Sequence, residues 1–143
     1  MSEQIVVRQN RDFETEILAP DPHRPDDPQL YPVEHIYHLT PYGMLLTGLA
    51  TCTAIVLHTY AQNHSVDLQE VELRLWYERV FAEDCRDCEA IEEYREQIIE
   101  DIILKGNLTP QERQKLLLIS RHCPVHKMLH QGIEVVSRLA EPA

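Results

Sequence analysis

The segment Thr40–Ser65 constrains the fold more than any other part of the chain. It opens with Thr40 and Pro41: a hydroxyl that can cap free N–H groups, then a ring that already holds helical φ, so a helix is predicted to start there. From Met44 to Leu57 the segment is apolar or small on every side, apart from its threonines. A helix that is apolar all round is buried all round, so we expect other elements to wrap it. Its length and its threonine and glycine content argue against a membrane span.

Cys52 lies in the middle of this helix, with Gly48 one turn before it and Val56 one turn after it. Free cysteine is among the most buried residue types, so the simplest interpretation of Cys52 is a small core residue. A second cysteine, Cys123, lies far along the chain in a segment rich in basic residues. With two such thiols in one chain, the alternative interpretation of Cys52 is a redox-active cysteine.

Length and composition indicate one globular domain, residues 1–143. The net charge of −11 argues against nucleic acid or an anionic membrane surface as the main partner. The chain does not open on the apolar run of a secretory signal, so its four cysteines are interpreted as thiols, metal ligands or redox groups rather than structural disulfides. The expected location is the cytoplasm.

Alternating hydrophobicity and turn residues predict short strands along the rest of the chain. They are Ile5–Arg8, Phe13–Leu18, His35–Leu39, Val71–Phe81 and Ile133–Leu139. Pro20–Pro32 holds five of the nine prolines, and each proline restricts itself and the residue before it. We therefore expect an extended loop there, so that the first 39 residues are atypical strands and a proline-rich loop.

The segment Gln97–Lys105 is ambiguous. Its isoleucines recur with helical spacing, whereas its β-branched content favours a strand. On periodicity alone it is predicted to be a helix.

Two helices are predicted near the C-terminus. Thr109-Pro110-Gln111-Glu112 is a capping box with proline at the first helical position, and it predicts a helix to about Arg121 that buries Leu116, Leu117 and Ser120. Cys123 and Pro124 repeat this pattern and predict a short helix through Leu129, which Gly132 ends.

The position of Cys123 at a helix start favours a thiolate, because free N–H groups and the positive end of the helix dipole are there. If Cys52 is the nucleophile, an arginine from elsewhere must stabilise its thiolate, and the upstream candidates are Arg8, Arg11 and Arg24. The two-cysteine hypothesis is then specific: one thiol is oxidised to a sulfenic acid and the other condenses with it to a disulfide.

A metal site is the rival interpretation. Cys85-x-x-Cys88 and Cys123-x-x-His126 together supply a Cys3His set with two-residue spacers, which is the pattern of structural zinc. Two further interpretations remain: Cys85 and Cys88 as loop thiols without a partner, and Cys52 as a structural cysteine of a scaffold protein.

Three stretches resemble the OsmC/Ohr-like family of thiol-dependent peroxidases: TPYGMLLTGLATCTAIVLHTYA, RHCPVHKML, and VFAEDCRDCE with ILKGNLTPQERQKLLLISRHCPVH. The third is similar to a subgroup with an additional Cys-x-x-Cys loop, and the resemblance covers about Leu39 to Leu139. It implies an α+β fold in which a curved antiparallel sheet packs on two central helices. It also implies an intertwined homodimer with two sites at the interface, and a strand at Gln97–Lys105.

The resemblance further implies a reaction. Cys52 is the peroxidatic thiol and Cys123 the resolving one, the substrates are organic hydroperoxides or hydrogen peroxide, and a dithiol such as a dihydrolipoyl group restores the thiols. Tyr42 stands where relatives have a glutamate, His58 stands where relatives often have an arginine, and Arg24 is the candidate supporting arginine. The alternative is a non-enzymatic member of the fold that binds a small apolar ligand or zinc.

Overall fold

The computed structural model describes residues 3–81 and 94–141, which form an α+β fold. Its elements are β1 (Glu3–Asn10), β2 (Thr15–Pro20), β3 (Leu30–Pro32), a 3-10 turn (Ile36–His38), α1 (Pro41–Asn63), β4 (Leu68–Phe81), β5 (Tyr94–Gly106), α2 (Pro110–Ser120) and α3 (Pro124–Gln131). The five strands form one antiparallel sheet in the order β3-β2-β1-β4-β5. The predicted fold class is confirmed.

The strand predicted at Val71–Phe81 is confirmed as the central strand β4. Its alternation puts Leu73 and Leu75 on the core face, where both are fully buried. In the register with β5, Leu75 lies opposite Glu100 and Leu73 lies opposite Ile102. Residues directly opposite each other in an antiparallel pair share a face. Glu100 is therefore on the core face of the sheet.

The family resemblance implied a strand at Gln97–Lys105, and β5 confirms it. The helix predicted there from periodicity alone was wrong. Ile98 and Ile102 alternate with outward residues along β5, and both pack against the core. The helical spacing of the isoleucines was misleading because an edge strand whose two faces are both partly covered can be apolar on both.

Helix α1 lies on the core face of β1 and β4. Thr40 caps it, because the backbone N–H of Gly43 donates to its hydroxyl over 3.0 Å. The helix buries a row of residues against the sheet: Leu46, Leu49, Ala50, Thr53, Ala54, Leu57 and Ala61. The prediction of burial on every side was wrong, since Leu45 and Ile55 are about two-fifths exposed. One sheet covers one side of the helix, and α2 and α3 cover part of the rest.

The expectation that this helix is too short for a membrane was also wrong. It has 23 residues, and its most apolar 18-residue window has a mean hydropathy of 1.4, which is long and apolar enough for a span by length and composition alone. In this fold 44% of that window is buried. Core helices of globular folds are often as long and as apolar as this one, so these two properties do not assign α1 to a membrane.

Helices α2 and α3 begin where the sequence predicted. The capping box is complete: Glu112 N–H donates to the Thr109 hydroxyl over 3.1 Å, and Thr109 N–H donates to the Glu112 carboxylate over 2.9 Å. Leu116 is buried as predicted, whereas Leu117 is 41% exposed and that part of the prediction was wrong. Gly132 ends α3 with φ 85°, a conformation that favours glycine.

Three other predictions need correction. His35–Leu39 forms a 3-10 turn instead of a strand. The proline-rich loop ends in the three-residue strand β3, which pairs with β2. Ile133–Leu139 forms no strand, and its apolar side chains are exposed. A strand needs a neighbour for its N–H and C=O groups, and none of the strands in residues 3–81 and 94–141 pairs with this segment.

Candidate active site

The structure brings Cys52 and Cys123 together. Cys52 is half-buried in the middle of α1, Cys123 is fully buried at the start of α3, and their thiols are hydrogen-bonded to each other. Both are free cysteines. A disulfide between two such thiols requires Cβ atoms about 4 Å apart.

Cys52 receives a second hydrogen bond from the start of α3. The backbone N–H of Val125, in the first turn of that helix, donates to the Cys52 sulfur. The first N–H groups of a helix have no partner inside it and carry the positive end of its dipole. Cys123 occupies the cap position as predicted, but its side chain makes no capping hydrogen bond. The free N–H group at the start of α3 therefore stabilises the sulfur of Cys52 and not that of Cys123.

The balance of these contacts raises the pKa of the Cys52 thiol. Burial is the main cause, followed by the hydrogen bond with Cys123. The Val125 N–H acts in the opposite direction, and the charges of Cys123 and Glu100 raise the pKa further. Cys52 is accordingly a thiol at neutral pH and must lose its proton before it can act as a nucleophile.

Glu100 is a titratable group at this site that the sequence analysis missed. Its carboxyl oxygen lies 3.2 Å from the Thr53 hydroxyl, and burial raises the pKa of the carboxyl group to about 7 against the weaker effect of that hydrogen bond. The signal was present in the sequence, because a strand at Gln97–Lys105 puts Glu100 on the face of Ile98 and Ile102. The helical periodicity concealed it.

A cavity of about 450 Å³ lies near the thiol pair, and its lining comes within one helical turn of each cysteine without including either one. Its walls include Leu49, one turn before Cys52, His126, one turn after Cys123, and Glu100. The remaining lining residues are Tyr42, Leu45, Tyr77, Glu96, Gln97, Ile98, Leu129 and His130. The walls are apolar for the most part, with polar groups placed at a few points, as in sites for small molecules.

Of the two predicted supporting residues, Tyr42 lies at the cavity and Arg24 does not line it. Tyr42 lines the cavity, and its ring lies against that of Tyr77 with the centroids 4.8 Å apart. Arg24 lies in the proline-rich loop and pairs with Asp21 over 3.7 Å. In the part of the chain that is described, Arg24 is not among the groups that shift the pKa of Cys52.

The other predicted cations are engaged elsewhere. Arg8 pairs with Glu72 over 2.7 Å on the outer face of the sheet, and Arg11 pairs with Asp67 over 3.0 Å. His58 is buried with its Nε2 2.8 Å from the carbonyl oxygen of Gln9, and burial lowers its pKa. His58 therefore contacts β1 and not the thiol pair.

Only two members of the predicted zinc set, Cys123 and His126, belong to the described residues. Cys85 and Cys88 lie outside the described residues, so this part of the set stays a prediction. Cys123 contacts Cys52, while His126 lines the cavity. Residues 3–81 and 94–141 contain no group of three side chains arranged to hold a metal ion.

Fold and site together define a class: an α+β domain in which a sheet packs on a central helix that carries one thiol and a second short helix supplies another. Residues 34–138 match the model of the family described as OsmC-like protein, which is well over half of the chain. The chain belongs to the OsmC-like family, and the resemblance seen in the sequence is confirmed.

One solved structure of an OsmC-like protein has a similar fold. The chain is similar to an OsmC-like hydroperoxide resistance protein from Jannaschia sp. CCS1 with a TM-score of 0.60 and 16% identity, over 98% of this chain and 94% of that one. It is also similar to an OsmC like protein from Mycoplasma pneumoniae, with a TM-score of 0.44 and 15% identity, over 87% and 85% of the two chains. Comparison with curated proteins finds no match.

Proposed function

We propose that this protein is a cysteine-based hydroperoxide reductase in which Cys52 attacks the peroxide and Cys123 resolves the product. The observation that carries the proposal is the contact between the two thiols near an apolar cavity. Cys52 is the partly exposed member of the pair and Cys123 is fully buried. Cys52 is therefore the more accessible of the two thiols to a peroxide.

The reaction proceeds in two covalent steps. The Cys52 thiolate attacks the terminal oxygen of a hydroperoxide, so that an S–O bond forms, the O–O bond breaks and an alcohol leaves. Cys52 is oxidised to a sulfenic acid and the peroxide is reduced. The Cys123 thiol then attacks the Cys52 sulfur, water leaves, and a disulfide remains. An external dithiol, such as a dihydrolipoyl group, restores both thiols by exchange.

Two further observations support this assignment. The chain is an OsmC-like protein, and the solved structure from Jannaschia with a similar fold is a hydroperoxide resistance protein. The apolar walls of the cavity favour an organic hydroperoxide over hydrogen peroxide, because apolar surface is better covered by an alkyl or aryl group than by water. We place the protein in the cytoplasm, because a cycle through free thiols requires a reducing compartment.

We also propose that the active form is a homodimer. In the described chain, large apolar side chains are exposed along one side of α1 and along the C-terminal segment. They are Tyr42, Met44, Leu45, Ile55, Ile133, Val135, Val136 and Leu139. Monomeric soluble proteins rarely expose contiguous apolar patches of this kind. A second copy would cover α1 and give the segment Ile133–Leu139 the strand neighbour that one chain does not supply.

The same cavity supports a second candidate, a protein that binds a small apolar ligand without turnover. The observation in its favour is the cluster of Tyr42, Leu45 and Tyr77 at the cavity wall, away from the thiols. This candidate predicts that an apolar ligand binds equally well when Cys52 is replaced. It also predicts that both thiols stay reduced when a hydroperoxide is added.

Peroxide consumption in the presence of a dithiol tests the proposal. Cumene hydroperoxide and dihydrolipoamide are the substrates, and the variants are Cys52→Ser, Cys123→Ser and Thr59→Ser, an exposed control on the same helix. We expect no turnover in Cys52→Ser, one oxidation of Cys52 that stops at the sulfenic acid in Cys123→Ser, and unchanged turnover in Thr59→Ser. Turnover that survives Cys52→Ser would overturn the proposal.

A further inference from the structure

Glu100 is a carboxyl group in an apolar row of the core face. Ile98 and Ile102 flank it along β5, and the fully buried Leu75 lies opposite it on β4. A charged carboxylate in such surroundings is costly unless a cation pairs with it. Within residues 3–81 and 94–141, the ion pairs of the structure do not include Glu100. Glu100 is therefore best accommodated as a neutral acid.

The hydrogen bonds of Thr53 point to the same state. Its hydroxyl lies 3.0 Å from the Leu49 carbonyl oxygen and 3.2 Å from the Glu100 carboxyl. A hydroxyl has a single proton and accepts with its lone pairs. If Thr53 donates to Leu49, a protonated Glu100 can donate to Thr53, and every polar group is satisfied. An ionised Glu100 would compete with Leu49 for the one proton.

Glu100 is near both the nucleophile and the space for a substrate. It lines the cavity, and it is close enough to Cys52 for its charge to act on the thiol. We propose that Glu100 is the proton donor of this site, a neutral carboxylic acid that protonates the alcohol as it leaves the peroxide. This inference rests on the proposed hydroperoxide reduction and adds the group that handles its proton.

The proton balance closes for the thiol and the carboxyl group as a pair. In the reactive form the pair holds one proton, on Glu100, because the Cys52 proton has passed to solvent. When Cys52 attacks the terminal oxygen, the leaving oxygen takes the proton of Glu100, and a neutral alcohol departs in place of an alkoxide. The carboxylate then takes up one proton from solvent, which replaces the one that Cys52 released. The net reaction is thiol plus hydroperoxide to sulfenic acid plus alcohol, with no other reactant. General acid catalysis of this kind contributes about 100-fold or more in rate.

Other titratable groups line the same cavity: Tyr42 from α1, Tyr77 from β4, Glu96 from β5, and His126 and His130 from α3. The two thiols, Cys52 and Cys123, contact each other near it. Glu100 is distinguished from them by the hydrogen bond to Thr53 and by its place in the apolar row. Glu100 has a pKa of about 7, so its carboxyl group still holds a proton at neutral pH in part of the molecules. The raised pKa of Cys52 means that the thiol loses its proton only at higher pH.

These pKa values predict an unusual pH profile. The reactive form has a Cys52 thiolate and a Glu100 acid, so the pair holds one proton. Its population rises with pH up to about 7, where the first proton leaves the pair, and then stays level until the thiol titrates. A site without the acid follows the thiolate alone, so its rate keeps rising with pH through the same range.

The variant Glu100→Gln tests the inference with two rates measured at Cys52. One is oxidation by cumene hydroperoxide, which needs a proton for its leaving group; the other is alkylation by iodoacetamide, whose leaving iodide needs none. We expect oxidation at pH 7 to fall about 100-fold and to rise steadily above pH 7. Alkylation should be unchanged or faster, because a nearby negative charge has been removed. The control Asp101→Asn removes an exposed carboxylate from the opposite face of β5 and should change neither rate.

Each other result has a definite meaning. Equal losses in oxidation and alkylation would show that Glu100 only maintains the structure, and would overturn the inference. Oxidation unchanged in Glu100→Gln would overturn it too, while leaving the proposed function intact. If hydroperoxide does not oxidise Cys52 in the wild-type chain, the proposed function fails and this inference fails with it.

Discussion

The backbone N–H of Val125, at the start of α3, donates a hydrogen bond to the sulfur of Cys52 in the middle of α1. The middle of a helix offers no free N–H groups, so Cys52 obtains its stabilisation from the end of another helix. Cys123, the residue before Pro124, is placed by the same helix against the Cys52 thiol. One short helix thus supplies both the second thiol and the N–H group.

Removing this N–H group should slow the reaction of Cys52. Proline is tolerated in the first turn of a helix but has no N–H, so Val125→Pro deletes the donor. A hydrogen bond to an ionised group contributes about 1.5 kcal/mol, or roughly one pKa unit. We expect the pKa of Cys52 to rise by about that much and its alkylation at pH 7 to slow about tenfold.

The matched control for that experiment is Val125→Ala, which shortens the partly buried side chain and keeps the N–H group. Thermal unfolding of both variants shows whether α3 still forms. Equal alkylation rates in a folded Val125→Pro and in Val125→Ala would contradict a role for the N–H group.

Glu100 should make the protein less stable as the pH rises. Its pKa is about 7 in the folded chain and near 4.5 when unfolded, so the folded state binds more protons between these values. Stability from this group is therefore complete below about pH 4.5 and is lost as the pH rises to 7 and beyond. The loss is about 3 kcal/mol at about 1.36 kcal/mol per unit. Urea unfolding of wild type and Glu100→Gln at pH 5 and pH 8 measures it.

His58 has the opposite effect on stability: it makes the protein less stable as the pH falls below 6.5. Burial lowers its pKa from 6.5, so the unfolded state binds more protons and stability falls as the pH drops below 6.5. The difference between wild type and Glu100→Gln cancels the His58 contribution, which both chains share. A difference that does not change between pH 5 and pH 8 would contradict the assignment to Glu100.

Gly106 should not tolerate a side chain. It ends β5 with φ 150°, and a Cβ atom there would collide with the backbone carbonyl oxygen of Asp67. Strain of this kind costs roughly 1–3 kcal/mol. We expect Gly106→Ala to lower the free energy of unfolding by that amount in urea, whereas Asn107→Ala, whose side chain is exposed, should change it little. Equal stability of the two variants would show that the turn adjusts freely.

The C-terminal segment should determine the oligomeric state. Ile133 and Val135 are 66% and 81% exposed in the single chain, although their types favour burial. We expect the full chain to elute as a dimer and a chain that ends at Gly132 to elute as a monomer, both checked by light scattering. A matched full-length variant with Val135 and Leu139 replaced by serine should weaken the dimer. A monomeric full chain would contradict the proposed assembly.

Local chemistry predicted the elements that carry the thiols. Thr40 with Pro41, the capping box at Thr109, and Cys123 with Pro124 each act over three or four residues, so the sequence shows where the helices begin. The alternation of β4 was equally local. In each case the interaction that fixes the element lies within the segment itself.

The features that the sequence did not predict depend on contacts between distant segments of the chain. β5 is a strand because β4 offers it a ladder of hydrogen bonds, which outweighs the helical spacing of its isoleucines. The contacts of Cys52 with Val125 and of Thr53 with Glu100 join elements far apart in the chain, so no spacing rule reveals them. Ile133–Leu139 has a strand pattern without a strand, because no strand within residues 3–81 and 94–141 pairs with it.

Intact-mass spectrometry with thiol trapping tests the central claim most directly. The free thiols among the four cysteines of the chain are counted before and after one equivalent of an organic hydroperoxide, and the disulfide is mapped by peptide masses. The account predicts the loss of two thiols, both in a bond between Cys52 and Cys123. Four thiols that remain reduced, or a disulfide that excludes Cys52, would contradict it.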